Sequence, residues 1–554
     1  MKNRSRILAI AAAAPLALAG AGIAAAAQPS STPGPELLTN NVAPGLAHAQ
    51  LRGALPDNQQ LPVAVSLKLR DAAGLDQFIK EVNDPHSAQY KHYLTPAQFL
   101  DRYAPSTASV DKVRAFLTSK GLHVSKVTDN RQAIDATGTA AQLRDAFGTQ
   151  IGTYYDASQH RNFFANESAP SLPSDVASDV QAIAGLDNHY APHHNLVKNT
   201  SPAKRHGGGH HATPSGYGPS DYRGAYDAGS ADGSGTTVAL WEFDGFSQSD
   251  INTYDQQYGL NSPAPTTVSV DGGSAPSGTD GQLEVTLDIE AVQAVAPAAK
   301  QIVYEAPEPA DIPSFEQEEL DEANQIVSDD KASIVSMSWG WYEGGRDASQ
   351  MQAEDNAFKQ GAAEGIGWFA ASGDSGSDDG GNGGTSVDFP ASDPNITGVG
   401  GTTLTTSGGS YGGETAWSGS GGGTSTVFAA PSFQTGVNGK RTVPDVAADA
   451  DPSTGAAVYA EGSWNVVGGT SLATPLWGGF AALYDQQAAA AGKPALGDAN
   501  TALYNVAKGS SYSSTFHDVT SGSNGAFSAG TGYDQVTGWG SYDASKLTQA
   551  LLGG

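Results

Sequence analysis

The chain has 554 residues, no cysteine and a formal net charge of −29 at neutral pH. That length exceeds one ordinary domain. So acidic a surface excludes nucleic acid and anionic membranes as partners, and an exported chain without cysteine must be stabilised by something other than disulfides. The charge is unevenly divided: residues 1–213 carry 19 basic and 16 acidic side chains, residues 214–554 carry 10 and 42. The second part repels itself less once its carboxylates are protonated, which points to acid tolerance. The mildly basic first part is suited to dock on it, although solubility alone accounts for the charge equally well.

In chain order, "MKNRSR" followed by an Ala/Gly-rich apolar stretch predicts a secretory signal over residues 1–27, cleaved near Ala27. Residues 28–192 are expected to form a separate amino-terminal domain. Within them "LPVAVSLKL" reads as a strand, "DAAGLDQFIKEV" and "SVDKVRAFLTSKG" as helices, and "HVSKVTD" and "QAIDATG" as paired strands. "TAAQLRDAFG" then reads as a helix and "IGTYYDA" as a last strand. This pattern predicts a small α+β, ferredoxin-like domain with helices on one face of an antiparallel sheet. Residues 193–218, rich in Gly, His, Pro and basic side chains, lack periodicity and predict a flexible linker open to proteolytic cutting. His206, His210 and His211 within it are expected to be solvated rather than metal-bound.

From residue 219 to 554 strands alternate with helices. "TTVALWEF", "KQIVYEA", "ASIVSMSW" and "IGWFAAS" are strand-like, whereas "GQLEVTLDIEAVQAVAP", "FEQEELDEANQIVSD", "ASQMQAEDNAFKQGAAEG" and "ATPLWGGFAALYDQQAAA" have helical spacing. Repeated βα units predict a parallel sheet covered by helices on both faces, with functional residues at the carboxyl ends of strands and at helix starts.

Ser471, in "GGTSLATP", stands where a glycine-rich turn opens a helix, beside backbone N–H groups able to bind an anion; an ordinary N-cap serine gives the same pattern. A nucleophilic serine needs a base, yet from residue 214 onward the one histidine is His517. Carboxylates are the alternative. Glu284 and Asp288, four residues apart, share one helix face, and the apolar residues around them suit a buried element rather than a solvated acidic one. Two carboxyls held together raise one pKa, so one keeps a proton and bonds the other. Asp374, in the turn "SGDSG", is either a turn aspartate or, if protonated, a hydrogen-bond donor to an oxyanion. A glycosidase built on Glu284 and Asp288 is disfavoured, because its carboxylates must flank the bond from opposite sides.

Together "GTSLATP", the Glu284–Asp288 spacing, "SWG" at Ser338–Gly340, "SGDSG" and "FPASDPNITGVGGT" resemble the sedolisin family of serine-carboxyl peptidases, and "DPHSAQYKHYLTPAQF" resembles its prodomain. The resemblance implies a subtilisin-like fold and a secreted, acid-active endopeptidase made as a zymogen. It implies Ser471 as nucleophile, Glu284 as base, Asp288 as its partner and Asp374 as oxyanion stabiliser. Glu242 and Trp339 resemble the accessory hydrogen-bonded pair of the kumamolisin-like branch. The resemblance also implies one structural calcium ion, held by the carboxylates of Asp518 and Asp534 and the carbonyls of Val519, Gly530 and Gly532. Expected partners are a peptide or protein substrate and the chain's own prodomain, with no nucleic acid and no membrane. A tripeptidyl-peptidase with the same chemistry, or an inactive homologue that only binds, are the alternatives.

Overall fold

The structure, a computed structural model, describes residues 34–200, 215–308 and 315–553. The signal expected at 1–27 lies outside them, as do His206, His210 and His211. Residues from Pro35 onward form one compact unit.

In the amino-terminal part, the strand Gln60–Leu67 lies between Ala133–Thr139 and Val180–Ala184, and His123–Val127 extends the sheet beyond Ala133–Thr139. All of these pairs are antiparallel. Alternating apolar positions, among them Val63, Val65, Ile134 and Ile183, meet Val113 and Leu117 of the helix Thr107–Ser119 and Leu143 of Ala140–Phe147 in one core. Both helices begin as their sequences dictate. Ser106 caps one, and Thr139 forms a reciprocal capping box with Gln142 in the other. The expected last strand, Ile151–Asp156, instead joins Gln50–Ala54 and Arg161–Asn166 in a separate three-stranded sheet.

The second part is built on an eight-stranded sheet. Its path runs Thr266–Ser269, Lys300–Glu305, Thr237–Glu242, Ile334–Met337, Gly367–Ala371, Thr397–Ser407 and Ser410–Ala416, and Val446–Asp449 also pairs with Thr397–Ser407. Every pair is parallel except the last hairpin. Near-continuous apolar strands such as "TVALWE" are what a sheet covered on both faces requires. Helices Asp280–Val295 and Thr470–Ala490 pack together in one core layer. Helices Glu316–Asp329 and Ala348–Glu364 also pack together and receive the amino-terminal domain.

Contacts between the two parts include apolar packing of Leu75 and Phe99 with Ala362 and Ala363, and amide hydrogen bonds. Asn130 donates to Asn324 and Gln360, and the Gly185 N–H donates to Glu316. Lys126 supplies the basic-to-acidic attraction expected from the charge division, pairing with Asp271 and Asp321 at 3.3 Å. Lys359 and Asp76 form a pair of the opposite sense.

Residues 193–200, read from composition as linker, are engaged. His193–His194 pairs antiparallel with Trp339–Gly340, and Val197–Lys198 pairs antiparallel with Val467–Gly468. Residues 201–214 lie outside the described residues.

Candidate active site

Ser471 enters the helix Thr470–Ala490 one residue inside it. The N-cap is Gly469, at φ 104°, so Ser471 is not the capping serine the motif alone allows. A Cβ on Gly469 would stand 2.1 Å from the Asn195 carbonyl oxygen, so this close approach requires glycine. Pro475 lies within the helix and has no N–H to offer the Ser471 carbonyl four residues back. The Ser338 hydroxyl takes up that carbonyl at 3.3 Å and also donates toward Asp288, 2.8 Å from either carboxylate oxygen.

Glu284 and Asp288 lie on the helix Asp280–Val295, which Thr279 caps and whose residues 281–295 are all buried. A solvated acidic helix is thereby excluded. Both carboxyls are 0 % exposed, and so is Glu242 at the end of its strand. The Trp339 indole N–H donates to Glu242 at 2.9 Å. Burial, and then the proximity of Asp288, holds the Glu284 pKa well above the usual carboxylate range. Burial likewise raises Asp288, against the hydrogen bonds from Ser338 and Glu242. Glu242 is raised by burial and by both neighbouring acids. Three buried carboxyls this close cannot all ionise, so the cluster shares protons. The Ser471 hydroxyl donates to the Ser338 carbonyl at 3.3 Å, and both Glu284 carboxyl oxygens are shut off from solvent without a hydrogen-bond partner.

Asp374 accepts from the Thr470 N–H at 2.7 Å and the Thr470 hydroxyl at 2.9 Å through Oδ1. Its Oδ2 is shut off from solvent without a partner and stands 2.6 Å from where a Gly469 Cβ would be, the same place the Asn195 carbonyl approaches. Burial pushes Asp374 up to about 7 against the two Thr470 bonds.

Across these groups lies the segment 193–198. The Ser471 N–H donates to the Asn195 carbonyl at 2.9 Å, and the Asn195 N–H donates to the Ser338 carbonyl at 3.0 Å. His194 stands edge-on to Trp339 with Nδ1 3.8 Å from Glu284. His517, by contrast, stacks on Tyr411, with Nδ1 3.2 Å from the Ser541 hydroxyl.

Glu242, Glu284, Asp288, Trp339, Asp374 and Ser471 are therefore brought together in one buried cluster. Ser338 and Thr470 also belong to it. Their sequence signal was adjacency to Trp339 and Ser471, which does not say what their hydroxyls touch. Asn195 was hidden in a segment read as linker.

Asp518 and Asp534 meet on one loop. Asp518 accepts from the Gly532 N–H at 3.1 Å, and Asp534 accepts from the Gly530 N–H at 2.8 Å. No hydrogen bond between described residues ends on the carbonyls of Val519, Gly530 or Gly532. Both carboxylates also accept from further protein donors, Asp518 from the Tyr512 hydroxyl at 2.9 Å and Asp534 from the Val536 and Thr537 N–H groups at 2.9 Å; carboxylate and carbonyl oxygens are the ligand type a hard cation takes. The acid and histidine clusters tight enough by themselves to hold an ion lie elsewhere among the described residues, at His193/Asp379/Asp388 and Asp135/Asp271/Asp321.

A parallel sheet with a serine at the start of the helix crossing it defines a subtilisin-like hydrolase, and residues 273–540 match the Subtilase family. Residues 47–189 match the Pro-kumamolisin activation domain. The chain is 36 % identical over 520 residues to sedolisin of Pseudomonas sp. (strain 101), covering 88 % of this chain and 86 % of the relative. It is 31 % identical to kumamolisin of Bacillus sp. (strain MN-32), covering 90 % and 93 %. The solved structure of Pseudomonas sedolisin, a serine-carboxyl proteinase complexed with pseudo-iodotyrostatin, superposes with a TM-score of 0.55 at 34 % identity, over 61 % of this chain and 98 % of that one. The chain belongs to the sedolisin family: it is a serine-carboxyl peptidase that carries its own prodomain.

Proposed function

We propose that the protein is a secreted, acid-active endopeptidase that processes its own zymogen by cutting between Asn195 and Leu196. The observation that carries this reading is the segment 193–198, held in the cleft by backbone pairing on both sides of Ser471. In the proposed reaction Ser471 Oγ attacks the Asn195 carbonyl carbon and passes its proton to Glu284. Asp288, held by Ser338, and the Glu242–Trp339 pair keep Glu284 oriented and the remaining protons shared. The carbonyl oxygen, now negative, is met by the Ser471 N–H and by protonated Asp374. The C–N bond then breaks, Glu284 returns its proton to the Leu196 nitrogen, and water releases the acyl group by the reverse sequence. A proton on Asp374 is lost as the pH rises through about 7, which supports an acid-side optimum.

The segment continues amino-terminally past His193 to Tyr190, which packs edge-on against Tyr342. A chain that runs on through the cleft on that side suits an endopeptidase better than a tripeptidyl-peptidase, which must close beyond the third residue. Peptides with blocked amino termini should be cut as well as free ones; release of tripeptides from free termini alone would favour the alternative. The intact network speaks against an inactive binding homologue. The proposed partition is a signal over 1–27, a prodomain over 28–192 and a catalytic domain over 219–554, supported by the uneven division of charge and the matched families.

The same reading places one structural calcium on Asp518, Asp534 and the carbonyls of Val519, Gly530 and Gly532, where it would tie a loop in a chain without disulfides. An ion bound only to the folded state adds about 2.7 kcal/mol at a hundredfold excess over Kd. Chelation, or Asp534→Ala, should therefore lower Tm by several degrees in calorimetry. An unchanged Tm after rigorous calcium removal would exclude the site.

A further inference from the structure

We propose that the catalytic part carries a lysine-recognition slot at the end of its sheet opposite Ser471, and that Lys91 holds the prodomain there. This hold is separate from the segment in the cleft and does not rest on the endopeptidase reading. The helix Thr470–Ala490 bears Ser471 at its start and Asp485 about 21 Å further along its axis. There the Ser333 hydroxyl donates to Asp485 at 2.8 Å, just ahead of the strand Ile334–Met337 whose other end leads to Ser338. The Leu496 N–H donates to Asp485 at 2.7 Å, and the Asn500 N–H donates to Asp498 at 3.1 Å. Both carboxyls are 6 % exposed. Into this slot the prodomain turns Lys91, whose φ of 57° is uncommon for a residue with a side chain. Lys91 Nζ donates to the Leu496 carbonyl and lies 5.6 Å from the ring centres of both Tyr90 and Tyr93. The Asn83 amide adds a bond to Asp498 at 3.2 Å. Tyr93 fills space that glycine alone leaves: a Cβ on Gly365 or Gly497 would stand 2.5 or 2.3 Å from its atoms. Next to it the Leu94 N–H donates to the Ala363 carbonyl at 2.9 Å.

A buried ammonium is tolerated only where opposite charge answers it. Burial brings the Lys91 pKa down to about 8, against the attraction of Asp498 and Asp485, so Lys91 stays charged in neutral and acid solution. Burial pushes Asp485 and Asp498 each up to about 6, and the Lys91 charge opposes that rise at both. Seating Lys91 therefore favours the ionised carboxylates, and docking at the slot releases protons. The hold is present above about pH 6 and is lost as the pH falls through that value. Tyr90, Tyr93 and Tyr484 around the slot are raised and stay neutral, and burial keeps Glu364 protonated up to about 9. Asp445, paired with Arg441, stands behind Asp498, and Asp76, Lys80, Asp84, His86 and Lys359 line the cavity of about 740 Å³ that reaches it. Asp330, Lys331 and Lys493 line the cavity on the Asp485 side. The two carboxylates that lock onto Leu496 and Asn500 are the groups whose charge the seated lysine sets.

The test uses the full-length chain with Ser471→Ala, so that self-cutting does not enter. It follows amide hydrogen exchange by mass spectrometry, corrected for the intrinsic pH dependence of exchange. Lys91→Met keeps a long apolar stem and removes the charge. At pH 7 it should speed exchange of the peptide containing Leu94 at least about tenfold. Peptides from the prodomain core around Val113 and Ile134 should keep their rates, which separates undocking from unfolding. At pH 4.5 the two chains should agree around Leu94 to within about twofold. With Asp485→Asn and Asp498→Asn together, the effect of Lys91→Met at pH 7 should also shrink to within about twofold, because asparagine keeps an acceptor oxygen but not the charge. Unchanged exchange around Leu94 in Lys91→Met at pH 7 would overturn the inference. An effect equally large in acid, or in the chain with both asparagines, would overturn it too, since packing alone would then explain it. If Lys91→Met also loosens the core peptides, Asp498→Asn alone decides, because it leaves the prodomain unaltered. That change should speed exchange around Leu94 about threefold or more at pH 7 and not in acid; no change at pH 7 would sink the proposal.

Discussion

Ser471→Ala should remain a full-length chain after acidification, while the unaltered protein yields a first new amino terminus at Leu196. The substitution removes the attacking oxygen and leaves the Ser471 N–H that holds the Asn195 carbonyl, so the segment should stay seated and uncut. Loss of a nucleophilic serine costs on the order of a millionfold in kcat when catalysis runs through it. Mass spectrometry of the intact chain and amino-terminal sequencing of the product read both halves of the result. Processing of purified Ser471→Ala at the normal rate would assign the cut to another protease. A first terminus far from residue 196 would displace Asn195–Leu196 as the bond attacked.

Asp374→Ala should lower kcat by two to three orders of magnitude, about 2.7–4 kcal/mol of barrier, the usual cost of one oxyanion donor. Only the protonated acid donates, and its pKa near 7 means that the donor is present in acid and is lost as the pH rises through that value. Asp374→Asn keeps the shape and donates at every pH. Its rate should fall between the other two, with a shallower decline toward neutral pH; the decline persists because Glu284 still titrates. Equal kcat for the unaltered protein and a correctly folded Asp374→Ala would remove Asp374 from the chemistry. Thr470 donates to the other oxygen of Asp374, so the folding of both variants is best verified by circular dichroism before rates are compared.

The sheet was legible because buried parallel strands are apolar almost throughout and the intervening helices keep their period. Glu284 and Asp288 were legible for the same local reason: four residues on a helix fix their common face whatever surrounds them. What the sequence could not show is what depends on distant partners. Ser338 is 50 residues from Asp288 and 133 from the Ser471 carbonyl it bonds, and a serine's role there is set by the fold around it. The segment 193–200 was misread because glycine, histidine and proline signal irregular backbone, whereas its strand pairing is imposed by the edges of the cleft. Ile151–Asp156 was rightly read as a strand, but strand character does not name the sheet it joins.

The seated segment has a kinetic consequence. On the proposed reading the bond attacked belongs to the same molecule and its carbonyl is already held by the Ser471 N–H, so its cleavage should be unimolecular and the half-time of processing should not change on dilution. Positioning of this kind equals an effective molarity far above any attainable concentration of free peptide. After the cut, the new carboxyl end at Asn195 is still attached to a docked domain, so it occupies the site as a tethered product. A free substrate then competes with a local concentration rather than with a binding constant alone. On the same reading, onset of activity toward other proteins should be timed by undocking of the prodomain, a step later than the cleavage itself.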